Sequence, residues 1–388
     1  MSELKEKETS KLSLFLAIVL GINAVVGAGV FTMPITLFKL AGPGGIISVV
    51  IAAICILFIG FGFARITSLI PETGGFYTYV SAWGGKKLGS LASFLYLSGL
   101  TIAMGLLARY VSNIIAIYMT SIDSVYIGYS IVICTFVATL FASSIARVGQ
   151  TILFVLTILP ILFIGFLCNK TISFDRLMPF FSNGISGVFA GLPVAVFSFL
   201  GFESISSMTR IIKNPQRNIP IATLLTIIIA ALLYIFFVFS VISGIDSSLL
   251  LSKNLLSEVL LNSFSEMSWI IHFINASIII TILGTIYALM MSLSELLIGS
   301  IKKISDDLIN IPETLSVVSL SFLMAIFMRF FTNIGVVFNW IAMCVSFSYL
   351  LTLIYLLVKP KKKMDIVLGI FGTISAGVLI LAAILQLI

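Results

Sequence analysis

Two stretches place hydrogen-bonding groups where an apolar helix ordinarily offers none. Gly27-Ala28-Gly29-Val30-Phe31 interrupts one long apolar segment near its middle, and Phe197-Ser198-Phe199-Leu200-Gly201-Phe202-Glu203 interrupts another. A helix in lipid satisfies its backbone N–H and C=O groups internally, so broken backbone at that depth is tolerated only when it is buried in protein or lines a wet cavity. A half-helix beginning after Gly29 presents free N–H donors and partial positive charge, which favours a carboxylate. A half-helix ending near Gly27 presents free carbonyls, which suit an ammonium group. A zwitterionic α-amino acid carries both groups a few ångströms apart. The break therefore fits an amino-acid headgroup better than a sugar.

Glu203 sits just past the second break, and an acid inside a span is costly to hold charged. It is the sharpest single candidate for exchanging protons, with a structurally paired or snorkelling acid as the alternative. Covalent chemistry finds little support. His272 is the only histidine, and no nucleophile–base pair, metal-ligand cluster or phosphate-binding loop accompanies it. Cys55, Cys134, Cys168 and Cys344 all fall in apolar spans, with neither disulfide nor metal spacing. The chain therefore reads as no enzyme and needs no cofactor.

The elements that must position these residues are membrane helices. The chain is 60% hydrophobic and 10% charged, against about 25% charged in soluble domains. Eleven spans are predicted, at 12–38, 45–68, 91–118, 124–142, 151–168, 186–208, 220–242, 268–299, 315–330, 334–357 and 364–387. The fold class is an all-α polytopic membrane protein. Residues 1–11 form a charged tail without the features of a cleaved secretory signal. With the N-terminus inside, outer segments hold Lys39, Lys170, Arg176, Lys253 and Arg329, Arg109 lies within a span, and the other sixteen of the 22 Lys and Arg fall inside. That bias predicts a cytoplasmic N-terminus. It also explains the net charge of +7 without a nucleic-acid partner. Residues 76–90 read either as a solvated loop or as an amphipathic interfacial helix carrying Phe76, Tyr77, Tyr79 and Trp83. The broken spans are the first and sixth, five apart and oppositely oriented, which is the pattern of an inverted repeat. Spans 1–5 (12–168) and 6–10 (186–357) would be the two repeats, with 364–388 appended.

Three separated motifs resemble the amino acid–polyamine–organocation transporters, and within them the basic amino acid/polyamine antiporter branch that includes the arginine/agmatine exchanger. Gly27-Ala28-Gly29-Val30-Phe31 with Pro34 is similar to the family's first-helix motif. Pro71-Glu72-Thr73-Gly74-Gly75-Phe76-Tyr77-Thr78-Tyr79 is similar to its first cytoplasmic loop. Phe199-Leu200-Gly201-Phe202-Glu203, followed by Lys213-Asn214-Pro215-Gln216-Arg217-Asn218-Ile219-Pro220, is similar to its sixth helix and following loop. The resemblance covers about residues 10–240.

It implies a broken-helix, 5+5 fold and secondary transport of an amino acid or amine, by exchange or with protons. A transport-dead nutrient sensor or accessory subunit on the same fold is the alternative. The headgroup would lie between the backbone of Val25, Val26, Gly27, Ala28 and Gly29 and that of Phe197, Ser198, Phe199 and Gly201. Glu203 would couple proton or gate state, and Phe197 would stack on or cover the cargo. Thr101 and Met104 occupy the region of polar contacts in the exchanger, with helix packing as the alternative. Tyr287 is a further mid-span candidate, with a cross-helix hydrogen bond as its alternative. The family usually has twelve spans, so eleven leave both a monomer and a homodimer open. Residues 151–168 lack the lysine of some proton-coupled members, and nothing supports sodium. Short loops point to a bacterial or archaeal inner membrane.

Overall fold

The computed structural model describes residues 11–385 apart from 141, 253–254, 265, 267–268, 307, 310 and 331–333. The tail at 1–10 thus lies outside the described residues. Among the described residues no strand forms, and one isolated bridge joins Leu12 to Ile212. The first span is split into α1 (Leu14–Val25) and α2 (Ala28–Ala41), with Val26 and Gly27 outside helical geometry between them. The hydroxyl of Ser13 accepts the Leu16 N–H at 3.3 Å and starts α1. A short turn at Gly42–Gly44 leads into α3 (Gly45–Leu69).

Next comes α4 (Gly75–Ala116), two helices joined at Gly85, whose φ of +79° and ψ of 174° suit only glycine. The first piece folds back on the second, so that Phe76 stacks on Tyr96 with centroids 4.0 Å apart. Residues 75–84 are therefore helical, but Phe76, Tyr77 and Tyr79 are buried in protein instead of lying at a lipid interface.

The chain continues through α5 (Ser124–Leu140) and α6 (Ala142–Asn169). The sixth span is split as expected into α7 (Gly184–Phe199) and a single turn, α8 (Ser204–Ser207). Then follow α9 (Pro215–Gly244), two short helices that the sequence did not announce, α10 (Ser247–Ser252) and α11 (Leu256–Ser263), and α12 (Ile270–Ile304). The last three are α13 (Glu313–Phe330), α14 (Ile334–Val358) and α15 (Lys363–Leu385).

Among the described residues nine stretches are long and apolar enough to cross a membrane. Gly29–Leu69 counts once although it holds α2 and α3, while Leu14–Val25 and Ser124–Leu140 are apolar but shorter. Each predicted span thus corresponds to a helix or to a broken pair. Phe94, Leu232 and Phe322 stand about two-thirds exposed on the outside of the bundle, an arrangement that only lipid makes favourable. The protein is an integral membrane protein.

Packing brings the two broken spans together: α2 lies on α7, and α1 lies against α6, α9 and α12. A separate small core of Leu12, Ala17, Leu20, Ile205, Met208 and Ile219 joins α1 to the segment after α8. There the Leu12 N–H donates to Ile211 O at 2.7 Å and the Lys213 N–H to Leu12 O at 2.9 Å. At the same end, Arg210 holds Glu295 at 2.5 Å and Lys86 holds Asp306 at 2.7 Å. A third pair joins Lys303 to Glu72. Glu295 is thus an ion-paired acid. At α15, buried Asp365 accepts from Arg65 at 2.7 Å and from the N–H groups of Lys361 and Lys362. The eleventh span is therefore docked on α3, α7 and α14.

Candidate functional site

The two breaks meet at Gly29 and Ser198. A Cβ at Gly29 would lie 2.5 Å from Ser198 Oγ and 3.1 Å from its Cα, so no side chain fits there without parting α2 from α7. No side chain caps the start of α2, and the N–H groups of its first turn have no intrahelical partner. Across the break, the carbonyl end of α1 is met by two hydroxyls. Thr285 Oγ1 lies 2.8 Å from Asn23 O and 3.1 Å from Val26 O. Tyr234 Oη lies 3.1 Å from Val25 O and 2.8 Å from Ser198 O, bridging the two broken spans. Each hydroxyl has one proton for several carbonyls, so lone pairs remain for an ammonium group.

Beside the breaks is a narrow cavity, with room for water centres over about 30 Å³, equivalent to a few water molecules. Ala24, Val25, Gly27 and Gly29 line it from the first break, and Phe197, Ser198 and Leu200 from the second. Leu100, Ala103 and Leu107 of α4 with Leu289 of α12 complete the wall, and Thr285 of α12 lies on the break side, at Asn23 O and Val26 O. Phe197 also packs on Phe338 of α14, centroids 4.2 Å apart.

Of the predicted site residues, Val25, Gly27, Gly29, Phe197 and Ser198 come together on this cavity. The side chain of Ala28 lies outside the described residues. Val26 is buried beside the cavity and contributes its carbonyl to Thr285. Phe199 is buried against Tyr234, centroids 5.0 Å apart. Gly201 holds φ at +110°, and a Cβ there would lie 2.6 Å from Ala24 O. Thr101 and Met104 are buried on α4 off the cavity, the Thr101 hydroxyl turned back onto Leu97 O at 2.6 Å. Tyr287 is half-buried and lies off the cavity wall.

Glu203 is wholly buried next to the second break without lining the cavity. Its carboxylate accepts the Gly201 N–H, at 3.2 and 3.3 Å to the two oxygens. The hydroxyls of Tyr96 and Tyr349 also interact with it, though neither makes a hydrogen bond of standard geometry to a described atom. Thr285, Tyr234 and the apolar wall were missed by the sequence reading.

A membrane bundle with two facing helix breaks and a cavity beside them defines the class: a broken-helix, polytopic membrane protein. Residues 12–303 match the family described as amino acid permease, and the chain belongs to that family. It is 26% identical over 263 residues to the branched-chain amino acid permease BcaP of Bacillus subtilis (strain 168), covering 58% of this chain and 53% of the relative. It is 25% identical over 248 residues to the vacuolar cationic amino acid transporter 4 of Arabidopsis thaliana, covering 58% and 41%. Against the aspartate-proton symporter of Bacillus subtilis it is 27% identical over 240 residues, covering 58% and 46%. The chain spans about half the length of the curated relatives it matches.

Proposed function

We propose that this protein is a secondary transporter that moves amino acids across a membrane by alternating access. The observation that carries the reading is the facing pair of breaks. The uncapped start of α2 offers N–H donors for a carboxylate, and the carbonyl end of α1 offers acceptors for an ammonium group, beside one cavity. Family membership and the names of the matched relatives support amino acids as cargo. Those names range over branched-chain, cationic and acidic substrates, so they select no side chain.

The proposed repeats, 12–168 and 186–357, are supported by the pairing of equivalent elements: the two broken spans with each other, α3 with α9, and α4 with α12. Glu203 is proposed as the coupling or gating group, because it is buried and bonded to the break itself through Gly201. The Lys and Arg bias supports a cytoplasmic N-terminus.

The test is uptake of a mixed, labelled amino-acid pool into proteoliposomes, with and without internal amino acid, at two internal pH values. Uptake that needs internal amino acid establishes exchange. Uptake driven by a proton gradient alone establishes symport, and its loss in Glu203→Gln gives Glu203 the coupling role. Absence of flux in monodisperse protein refutes the transport reading.

A further inference from the structure

We infer that the site selects a neutral aliphatic α-amino acid and rejects arginine, polyamines and acidic amino acids. The inference rests on the transport reading above and deepens it. Polar groups of the cavity are gathered at one side, at the break backbone with Ser198 and Thr285. The facing wall, where a cargo side chain would lie, is Leu100, Ala103, Leu107 and Leu289, with Phe197 of the second break beside it. Among the described residues, none that lines the cavity carries a charge.

Charge pairing decides the class. A guanidinium or second amine placed against this wall would be desolvated with no carboxylate opposite it, which is strongly unfavourable. Glu203, buried next to the second break, is committed elsewhere. It stays off the cavity, accepting from Gly201 and facing Tyr96 and Tyr349. A cargo carboxylate in the side chain would likewise meet only leucine, alanine and phenylalanine. An aliphatic side chain loses nothing there and removes apolar surface from water. A polyamine would also leave the N–H groups at the start of α2 without an anion. The bulk of Leu100, Leu107, Leu289 and Phe197 around the single small residue Ala103 favours aliphatic over aromatic cargo. Ala103 is the smallest residue of the facing wall, so it sets how long that side chain can be.

The experiment is counterflow in proteoliposomes with labelled alanine, valine, leucine, phenylalanine, arginine, putrescine and aspartate. Alanine, valine or leucine should be carried at least tenfold faster than the four others. Ala103→Leu should lower the leucine-to-alanine rate ratio about tenfold, in line with the cost of methylene-sized misfit in an apolar pocket. Should that variant not give monodisperse protein, Leu107→Ala should shift the ratio the opposite way. Arginine, putrescine, aspartate or phenylalanine carried as fast as the aliphatic amino acids overturns the inference and leaves the transport reading standing. No flux of any panel member overturns the transport reading, and the inference with it.

Discussion

Removing the Tyr234 hydroxyl tests how the two breaks are held together. Tyr234 is fully buried, its ring packs edge-on against Phe199, and its hydroxyl bridges Val25 O and Ser198 O at 3.1 and 2.8 Å. Tyr234→Phe keeps the ring and deletes only the bridge. Val25 O retains the Gly27 N–H at 3.0 Å, so the deletion falls mainly on Ser198 O, at the end of α7. An orphaned buried carbonyl costs about 1–3 kcal/mol, while cross-helix hydrogen bonds in membranes average about 0.6 and reach about 1.7 kcal/mol. The expected loss is therefore ~1 kcal/mol. The expected readouts are a modestly lower thermal midpoint in detergent and a several-fold higher KM for the transported amino acid. Tyr126→Phe, at a ring 68% exposed, is the control and should change neither. If Tyr234→Phe matches the parent protein in both midpoint and KM, the bridge does not organise the site.

Other perturbations follow from the same geometry. Gly201→Ala forces a Cβ onto a φ of +110° and to 2.6 Å from Ala24 O. Backbone strain alone is about 1–3 kcal/mol, so size-exclusion profiles should show a large loss of monodisperse protein. Gly29→Leu parts α2 from α7 at Ser198 and should lower both expression and transport. Replacing Arg65 with Met leaves Asp365, whose side chain is covered, with only the N–H groups of Lys361 and Lys362, and the thermal midpoint should fall below that of a Lys86→Met variant, whose ion pair is exposed.

Both breaks were legible in the sequence because glycine and polar residues are costly inside a membrane-length apolar run unless the backbone opens there onto protein or water. The facing walls were not. On α4 the cavity is lined by Leu100, Ala103 and Leu107, at spacings of three and four, while the family resemblance drew attention to Thr101 and Met104, each one residue further on. One residue is a rotation of about 100° on a helix, enough to leave the wall. A buried threonine can satisfy itself on its own helix, as Thr101 does on Leu97 O, so its presence in a span does not fix which face lines a cavity. The same holds on α12, where Thr285 and Leu289 face the cavity and Tyr287, halfway between them, does not. Nothing marked Tyr234 in advance. It sits in an apolar run at 227–239 of its helix, and one of its partners is a backbone carbonyl 209 residues away. The buried helix at 75–84 was similarly ambiguous, because aromatic residues suit a lipid interface and a protein interior equally well.

The most direct test of the central claim is cysteine protection at the first break. Cys55, Cys134, Cys168 and Cys344 would be replaced in a transport-competent background, and Ala24, which lines the cavity, changed to cysteine. Alkylation by a small charged thiol reagent would be timed with and without saturating transported amino acid. An amino acid bound between the breaks predicts several-fold slower labelling in its presence. Labelling at an unchanged rate under conditions where that amino acid is transported would place the site elsewhere.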